Sequence, residues 1–370
     1  MKVALFLPSL EGGGAERVNL LLAQGLKERG AEVDLVLAQA QGPYLSAVPK
    51  GVRVVDLKAP RVLFSLVPLV AYLRRERPKA LFSSLSHANI LALWARGLAQ
   101  VPTQVFVVEH TPLKESRLGT ISFRERAAHA LLPWVYPKAQ GVVAVSKGLA
   151  EELVEVFRIP RDKVRVIYNP VVSEGLFRKA DVEEEVLSHP WFAPNQPPVL
   201  LAVGRLSREK NFSLLLRAFA RVRRRVPSRL LILGEGQERG FLEALVGELG
   251  LSEDVSLPGF VPNPYPFMRK AAALVLSSRY EALPTVLIEA MALGTPVVAT
   301  DCPFGPREIL EGGRWGQLVA VDDEVGLANA MQEVLENPPP SEERELMRKV
   351  ALERFGVDRA IQEYWQLLGG

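Results

Sequence analysis

ALVLSSRYEALPTVLIEAMALGTPVVATD, residues 273–301, reads as strand, helix, strand. ALVLSS and PVVATD are apolar runs of the length that fills a buried strand. Pro284 suits the first helical turn, where its missing N–H costs nothing, so the intervening helix is expected over 284–293. Strands joined through helices build a parallel sheet with helices on its faces.

The same alternation extends outward in both directions. PVLLAVGR, RLLILGEG and VSLPGF read as strands, with helices expected over 212–226, 239–249 and 264–272. In the first half KVALFLP, EVDLVLA, VRVVDL, ALFSSL, QVFVVEH, GVVAVS and KVRVIYN read as strands, most of them separated by helical stretches. The first of these helices, over 15–29, has apolar residues at 15, 18, 22 and 26 and is stopped by Gly30. Residues 171–198 break the rhythm with four prolines and no period, as a connection between domains does. The expectation is an α/β chain of two doubly wound domains, 1–175 and 176–356, facing across a cleft. An amphipathic C-terminal segment within 357–370 is expected to pack back on the first domain.

A length of 370 residues suits two domains, and 48% hydrophobic content fills two cores. The single cysteine, Cys302, excludes an internal disulfide and cysteine-rich metal sites, and points to a reducing, cytoplasmic setting. The histidines at 87, 110, 129 and 189 have no metal-ligand spacing. The apolar run before Pro8 is too short for a signal peptide, and no stretch reaches the roughly 18 apolar residues of a membrane span. Charge is uneven: residues 1–180 hold 25 Lys and Arg against 15 Asp and Glu, and residues 181–370 hold 20 against 27. The first half therefore faces something anionic, a nucleic acid or an acidic membrane surface. No recognition helix or aromatic-rich sheet supports the nucleic acid.

Three glycines, Gly12, Gly13 and Gly14, follow the first strand and open the first helix, where backbone N–H groups can receive an anion. Position 17 is Arg, so the dinucleotide fingerprint is absent and a nicotinamide dehydrogenase is set aside. In GRLSREKNF, Gly204 and Arg205 end a strand and Lys210 precedes a helix, so two cations share the carboxyl edge of a parallel sheet, where such sheets bind ligands. In LGEGQERGF, Gly234 and Gly236 follow another strand and, with Glu235 between them, bring a third strand end to that edge. Glu281 lies in the loop after ALVLSS. The following residues, Ala282, Leu283, Pro284 and Thr285, lead into a helix N-terminus able to seat a phosphate. Glu289 lies inside that helix among VLI and AMAL, where a carboxylate is half-buried and needs a partner.

Taken in order, GGGAER, VSKGLAEEL, IYNPV, GRLSREKN and the E-x7-E pair Glu281 and Glu289 resemble the retaining glycosyltransferases of family 4, over essentially the whole chain. The resemblance implies the GT-B fold, two Rossmann-like domains. It implies that Glu281 binds hydroxyls of a donor sugar, that Glu289 binds ribose hydroxyls, and that Arg205 and Lys210 neutralise a pyrophosphate. His110, in VVEHTP, matches a family position beside the donor sugar; read without the family it is equally a capping or core histidine. Gly13 and Gly14 would let the first domain approach the donor phosphate or the acceptor, and GFVPNPYPFM, with Phe260, would lie near the base. Ala282 stands where the family often has glycine, a departure that tightens the loop.

These expectations define a transferase that moves a hexose or N-acetylhexosamine from a nucleotide-sugar, a UDP-sugar by family habit, to a hydroxyl of a glycan or lipid-linked acceptor. No D-x-D cluster lies beside the expected site, and neither metal nor cofactor is expected. LFSLVPLVAYLRRERPK and ISFRERAAHALLPWVYPK mix bases with large apolar groups, which suits peripheral contact with an anionic membrane on the inner face of the cell membrane. The alternatives are a nucleotide-sugar 2-epimerase, which needs acid and base groups around the sugar, and a nucleotide-sugar-binding protein without turnover.

Overall fold

The computed structural model describes residues 1–11, 13–113, 123–182 and 189–369, the side chains of 123–128 excepted. The chain forms two compact units, Met1–Val171 with Phe355–Gly370, and Val172–Arg354.

The first unit is built on a seven-stranded parallel sheet of β1 (Lys2–Leu7), β2 (Glu32–Leu37), β3 (Arg53–Asp56), β4 (Ala80–Ser84), β5 (Gln104–Glu109), β6 (Gly141–Ala144) and β7 (Val164–Val166), ordered β3-β2-β1-β4-β5-β6-β7. All seven are the strands expected from the sequence. Central strands such as β1 and β4 are buried on both faces, which is why they read as unbroken apolar runs rather than alternating ones. Helices α1 (Gly14–Glu28), α2 (Leu66–Glu76), α3 (Ser86–Ala99), α4 (Phe123–Val135) and α5 (Lys147–Glu155) accompany the sheet. Gly30, at φ +86°, takes the left-handed turn beyond α1.

The C-terminal helix, Val357–Leu367, belongs to this unit. It docks on α1 at Gly25, where a Cβ would stand 2.4 Å from Ile361 Cγ1. Tyr364 meets the edge of Phe82, with ring centroids 5.3 Å apart, and Lys79 Nζ donates to Leu368 O at 2.6 Å.

The second unit holds β8 (Val199–Val203), β9 (Arg229–Leu233), β10 (Val255–Gly259), β11 (Ala273–Leu276), β12 (Val297–Thr300) and β13 (Gln317–Val319) in the parallel order β10-β9-β8-β11-β12-β13. The sixth strand, β13, is absent from the sequence reading. Its helices are α6 (Glu174–Ala180), α7 (Phe212–Arg223), α8 (Arg239–Glu248), α9 (Tyr265–Lys270), α10 (Thr285–Leu293), α11 (Gly305–Ile309), α12 (Glu324–Glu336) and α13 (Ser341–Phe355). Leu215 and Phe219 of α7 and Leu327 and Met331 of α12 close one core over Leu200, Ile232, Val275 and Val298 of the sheet.

Two boundaries differ from expectation. The units divide after Val171 rather than after residue 175, because α6 packs on α9 and α10 of the second unit. Helix α10 starts at Thr285; Pro284 is its N-cap, with extended ψ of 103°.

Candidate active site

In the second unit strand order reverses between β8 and β11, which run side by side with Leu200 opposite Ala273 and Leu201 opposite Leu274. Loops leaving two such strands diverge and open a crevice at their carboxyl ends. β8 delivers Gly204, Arg205 and, after the short turn Arg208–Lys210, the Lys210 side chain; β11 delivers Ser277, Ser278 and Glu281. Lys210 Nζ donates to Glu281 Oε1 at 2.5 Å, and Ser278 Oγ donates to the same oxygen at 2.8 Å. Only 21% of the Lys210 side chain and 12% of the Glu281 side chain meet solvent, so each charge leans on the other for lost hydration.

The backbone around the pair is cross-braced. Ser277 Oγ donates to Lys210 O at 2.8 Å, and Arg279 N donates to Glu209 O at 2.8 Å. Asn211, in the left-handed region at φ +53°, donates through Nδ2 to Asp322 Oδ1 at 2.8 Å. Gly234 is required by close approach: at φ +150° its Cβ would stand 1.9 Å from Gly204 O. Gly204 N donates to Leu233 O and Gly234 N to Gly259 O, tying the ends of β8, β9 and β10 together.

Beyond Glu281 the chain dips inward, with Ala282 and Leu283 buried. Glu281 O accepts from Gly305 N at 3.3 Å. No side chain caps α10; Leu287 N donates to Pro284 O at 3.1 Å, and the N–H groups of Thr285 and Val286 ahead of it stand at the helix start, the position that receives an anion. Further along, Glu289 is 3% exposed, more deeply buried than the half-buried carboxylate expected. Helix α10 is apolar on every side and lies inside the unit, which carries Glu289 in with it. Tyr265 OH donates to Glu289 Oε1 at 3.3 Å.

The remaining expected groups stand apart from the Lys210–Glu281 contact. Arg205 is largely exposed and, among the described residues, pairs with Glu209 at 3.9 Å. Glu235 pairs with Arg239, which donates at 2.6 and 2.9 Å and holds the carboxyl below its usual range. Phe260, just past β10, is exposed.

In the first unit strand order reverses between β1 and β4. Gly13 caps α1 without a side-chain contact, and Gly14 is its first residue; Gly12 lies outside the described residues. One turn on, buried Asn19 donates through Nδ2 to Ser84 Oγ at 3.0 Å, and Ser84 Oγ stands 3.4 Å from His110 Nε2. The first turns of α1 and the ends of β4 and β5 thus meet through Ser84 beside one imidazole. The residue is intermediate in exposure, but Nδ1 is shut off from solvent and has no partner among the described residues. Burial pushes the imidazolium pKa down to about 4, so His110 is neutral at pH 7. Beside it Glu109, 1% exposed, accepts from Asn89 Nδ2 at 3.0 Å, Ser86 Oγ at 3.1 Å and Tyr136 OH. Burial raises its pKa to about 7, against these hydrogen bonds and with the charge of Glu152 adding to the rise.

The profile of Glycosyltransferase Family 4 matches residues 12–174, and that of Glycosyl transferases group 1 matches residues 184–354. The N-acetylgalactosamine-N,N'-diacetylbacillosaminyl-diphospho-undecaprenol 4-alpha-N-acetylgalactosaminyltransferase of Campylobacter jejuni is 32% identical over 346 residues, 91% of this chain and 90% of that one. The chain belongs to glycosyltransferase family 4. Another relative, the lipopolysaccharide core biosynthesis glycosyltransferase LpsE of Rhizobium meliloti, is 27% identical over 96% of each chain. The Anabaena HepE structure in complex with UDP and glucose has the same fold, with a TM-score of 0.79 at 22% identity, covering 100% of this chain and 99% of that one. Two Rossmann-like parallel-sheet units make this glycosyltransferase a GT-B protein.

Sequence reasoning about this glycosyltransferase misses Ser278, Tyr265 and Ser84, which touch the expected Glu281, Glu289 and His110, and Asn19, which reaches His110 only through Ser84. Ser84 ends β4 and Ser278 follows β11 by two residues, and that position at a sheet's carboxyl edge is the one signal that marks them.

Proposed function

We propose that the protein is a retaining transferase that moves a hexose or N-acetylhexosamine from a UDP-sugar to a hydroxyl of a lipid-linked glycan, with no metal ion. One observation carries the reading: the Lys210–Glu281 pair lies at the strand-order reversal of the second unit, where β11 leads into the uncapped start of α10. As the bond from the anomeric carbon to the phosphate oxygen breaks, negative charge gathers on the departing diphosphate. Lys210, Arg205 and the α10 N–H groups supply positive potential fixed before the reaction begins. A diphosphate gives Lys210 a second anionic partner and releases Glu281 to accept hydroxyls of the sugar. Glu289 takes the ribose hydroxyls. The acceptor oxygen bonds to the anomeric carbon on the face the diphosphate leaves, and its proton passes to a phosphate oxygen.

The choice of UDP draws on the HepE complex, and the choice of acceptor on the name of the Campylobacter relative. A membrane-held acceptor also suits the surface of the first unit. Leu63, Phe64 and Val67, Trp94 and Leu98, and Leu131 and Trp134 are exposed large apolar residues on or beside α2, α3 and α4, with α3 packed against the other two. Exposed Arg61, Arg96 and Lys138 accompany them. That chemistry supports a contact with an anionic membrane surface such as the inner face of the cell membrane. Of the second expected stretch, residues 121–122 and the side chains of 123–128 lie outside the described residues. No described helix is long and apolar enough to cross a membrane.

The test is thermal unfolding with UDP, GDP, ADP and NAD, on wild type and Glu289→Ala. A ligand at one hundred times its Kd stabilises by about 2.7 kcal/mol. Selective stabilisation by UDP, weakened in Glu289→Ala, is expected. A response to NAD alone, or to no diphosphate, overturns the reading.

A further inference from the structure

The loop that carries His110 is held at both ends by buried carboxylates. At the upstream end Glu109 closes β5, and its two oxygens are gripped by Ser86 and Asn89 of α3 and by Tyr136. At the downstream end Leu113 N donates to Glu152 Oε2 at 2.9 Å. Glu152 comes from α5 and is 5% exposed. The imidazole lies between these anchors. Its contact among the described residues, Nε2 to Ser84 Oγ, is long at 3.4 Å, near the limit of a hydrogen bond. The ring is therefore oriented by the backbone that bears it more than by a bond of its own.

Burying a carboxylate costs several kcal/mol unless its lone pairs are met, so two of them under one short loop are an expensive way to gain stability alone. What they do supply is a fixed backbone. Glu109 is tied to α3 and to the turn that follows α4, and Glu152 ties the loop to α5. A side chain can be held to within a fraction of an ångström only when its supports are themselves locked.

We propose that Glu109 and Glu152 are positioning residues that clamp the loop over residues 109–113 and so set the ring of His110. The effect on transfer rests on the proposed role of His110 beside the donor sugar; the clamp itself does not.

The test reads the ring nitrogens of the four histidines by NMR on nitrogen-labelled full-length protein, without nucleotide. His110 is assigned by its loss in His110→Gln. In Glu109→Ala and Glu152→Ala the His110 signals are expected to move, and its titration to rise from about 4 toward 6.5. Glu109→Gln and Glu152→Gln keep an acceptor oxygen and should retain the wild-type signals. With UDP-sugar and acceptor, kcat of the alanine variants should fall about tenfold to a hundredfold with donor KM nearly unchanged, the scale of a misplaced reacting group. If Glu109→Ala does not fold, Tyr136→Phe removes one hydrogen bond, keeps the ring, and should give a smaller shift of the same sign. Folded alanine variants with unmoved His110 signals overturn the clamp, as do glutamine variants that behave like alanine. A displaced ring with unchanged kcat keeps the clamp and overturns the role of His110 in transfer.

Discussion

At the residue scale, the Lys210–Glu281 pair makes a prediction that two isolated surface charges would not. Breaking a fully buried pair costs about 3–5 kcal/mol; with 21% and 12% of these side chains exposed, a loss of about 1–3 kcal/mol is expected for Lys210→Met or Glu281→Gln. The double variant should recover part of that loss, because no lone charge remains, and the difference is the coupling energy. Ligand response should separate the two partners. Lys210→Met should lose stabilisation by UDP, whereas Glu281→Gln should keep or increase it, since Lys210 no longer has a competing anion. Calorimetric titration with UDP checks this; equal loss in both variants would contradict the exchange of partners. Glu109 and His110 make a second prediction, through pH. Glu109 binds its proton more tightly in the folded chain, so between pH 4.5 and about 7 it lowers stability as pH rises. His110 binds its proton less tightly when folded, so between about pH 4 and 6.5 it raises stability as pH rises. Adjacent in sequence, the two oppose each other over most of this range. Glu109→Gln should leave stability rising with pH there, and His110→Gln should leave it falling, relative to a flatter wild type. Denaturant titrations at closely spaced pH values read both slopes.

At the element scale, what was legible followed the strength of the local pattern. The central strands of the first unit, such as β1, β4 and β5, are apolar runs that no amphipathic helix would produce, and all seven strands were readable, β3 (RVVD) and β7 (VRV) from their place in the alternation. β13 was not: Gln317–Val319 is too short to show a period. It is placed by its neighbour, since Gly316 lies so close to β12 that a Cβ would stand 2.4 Å from Val297 Cγ2. Helix α13 was also missed. Its sequence, SEERELMRKVALERF, is polar nearly all round, and it buries little beyond Met347, Ala351 and Phe355. Helix α10 shows how far composition reaches. Its apolar flanks signalled a half-buried Glu289 in need of a partner; the burial goes further, and the hydroxyl that meets Glu289 comes from Tyr265, on a separate element. Likewise the edge position of Lys210 and of Glu281 was readable, while their contact was not. They lie 71 residues apart, and only the adjacency of β8 and β11 joins them. Topology is set by packing across the whole sheet, which no local period records.

At the scale of the whole molecule, the excess of Lys and Arg in residues 1–180 coincides with exposed large apolar side chains on and beside α2, α3 and α4. Trp134 and Val67 are each 76% exposed, Leu63 62% and Phe64 60%. Bases interspersed with such groups fit an anionic bilayer, where the cations meet headgroups and the large side chains enter the interface. Arg74 shows the arrangement locally: its guanidinium donates to Leu98 O at 2.9 Å, so charge and apolar surface are adjacent on α2 and α3. Each basic residue near an anionic surface contributes about 1 kcal/mol, and that part is screened by salt, whereas the apolar part is not. Binding to phosphatidylcholine vesicles containing phosphatidylglycerol should therefore be strong at low ionic strength and weaker at high salt. Vesicles of phosphatidylcholine alone should bind poorly. Phe64→Ser with Trp134→Ser should reduce the salt-resistant part by at least tenfold while leaving stabilisation by UDP intact, because those side chains belong to the first unit and the Lys210–Glu281 site to the second. Co-sedimentation measures the first quantity and thermal unfolding the second. Equal binding to neutral and anionic vesicles, or none to either, would detach the basic half from the membrane and leave its charge to serve the acceptor alone.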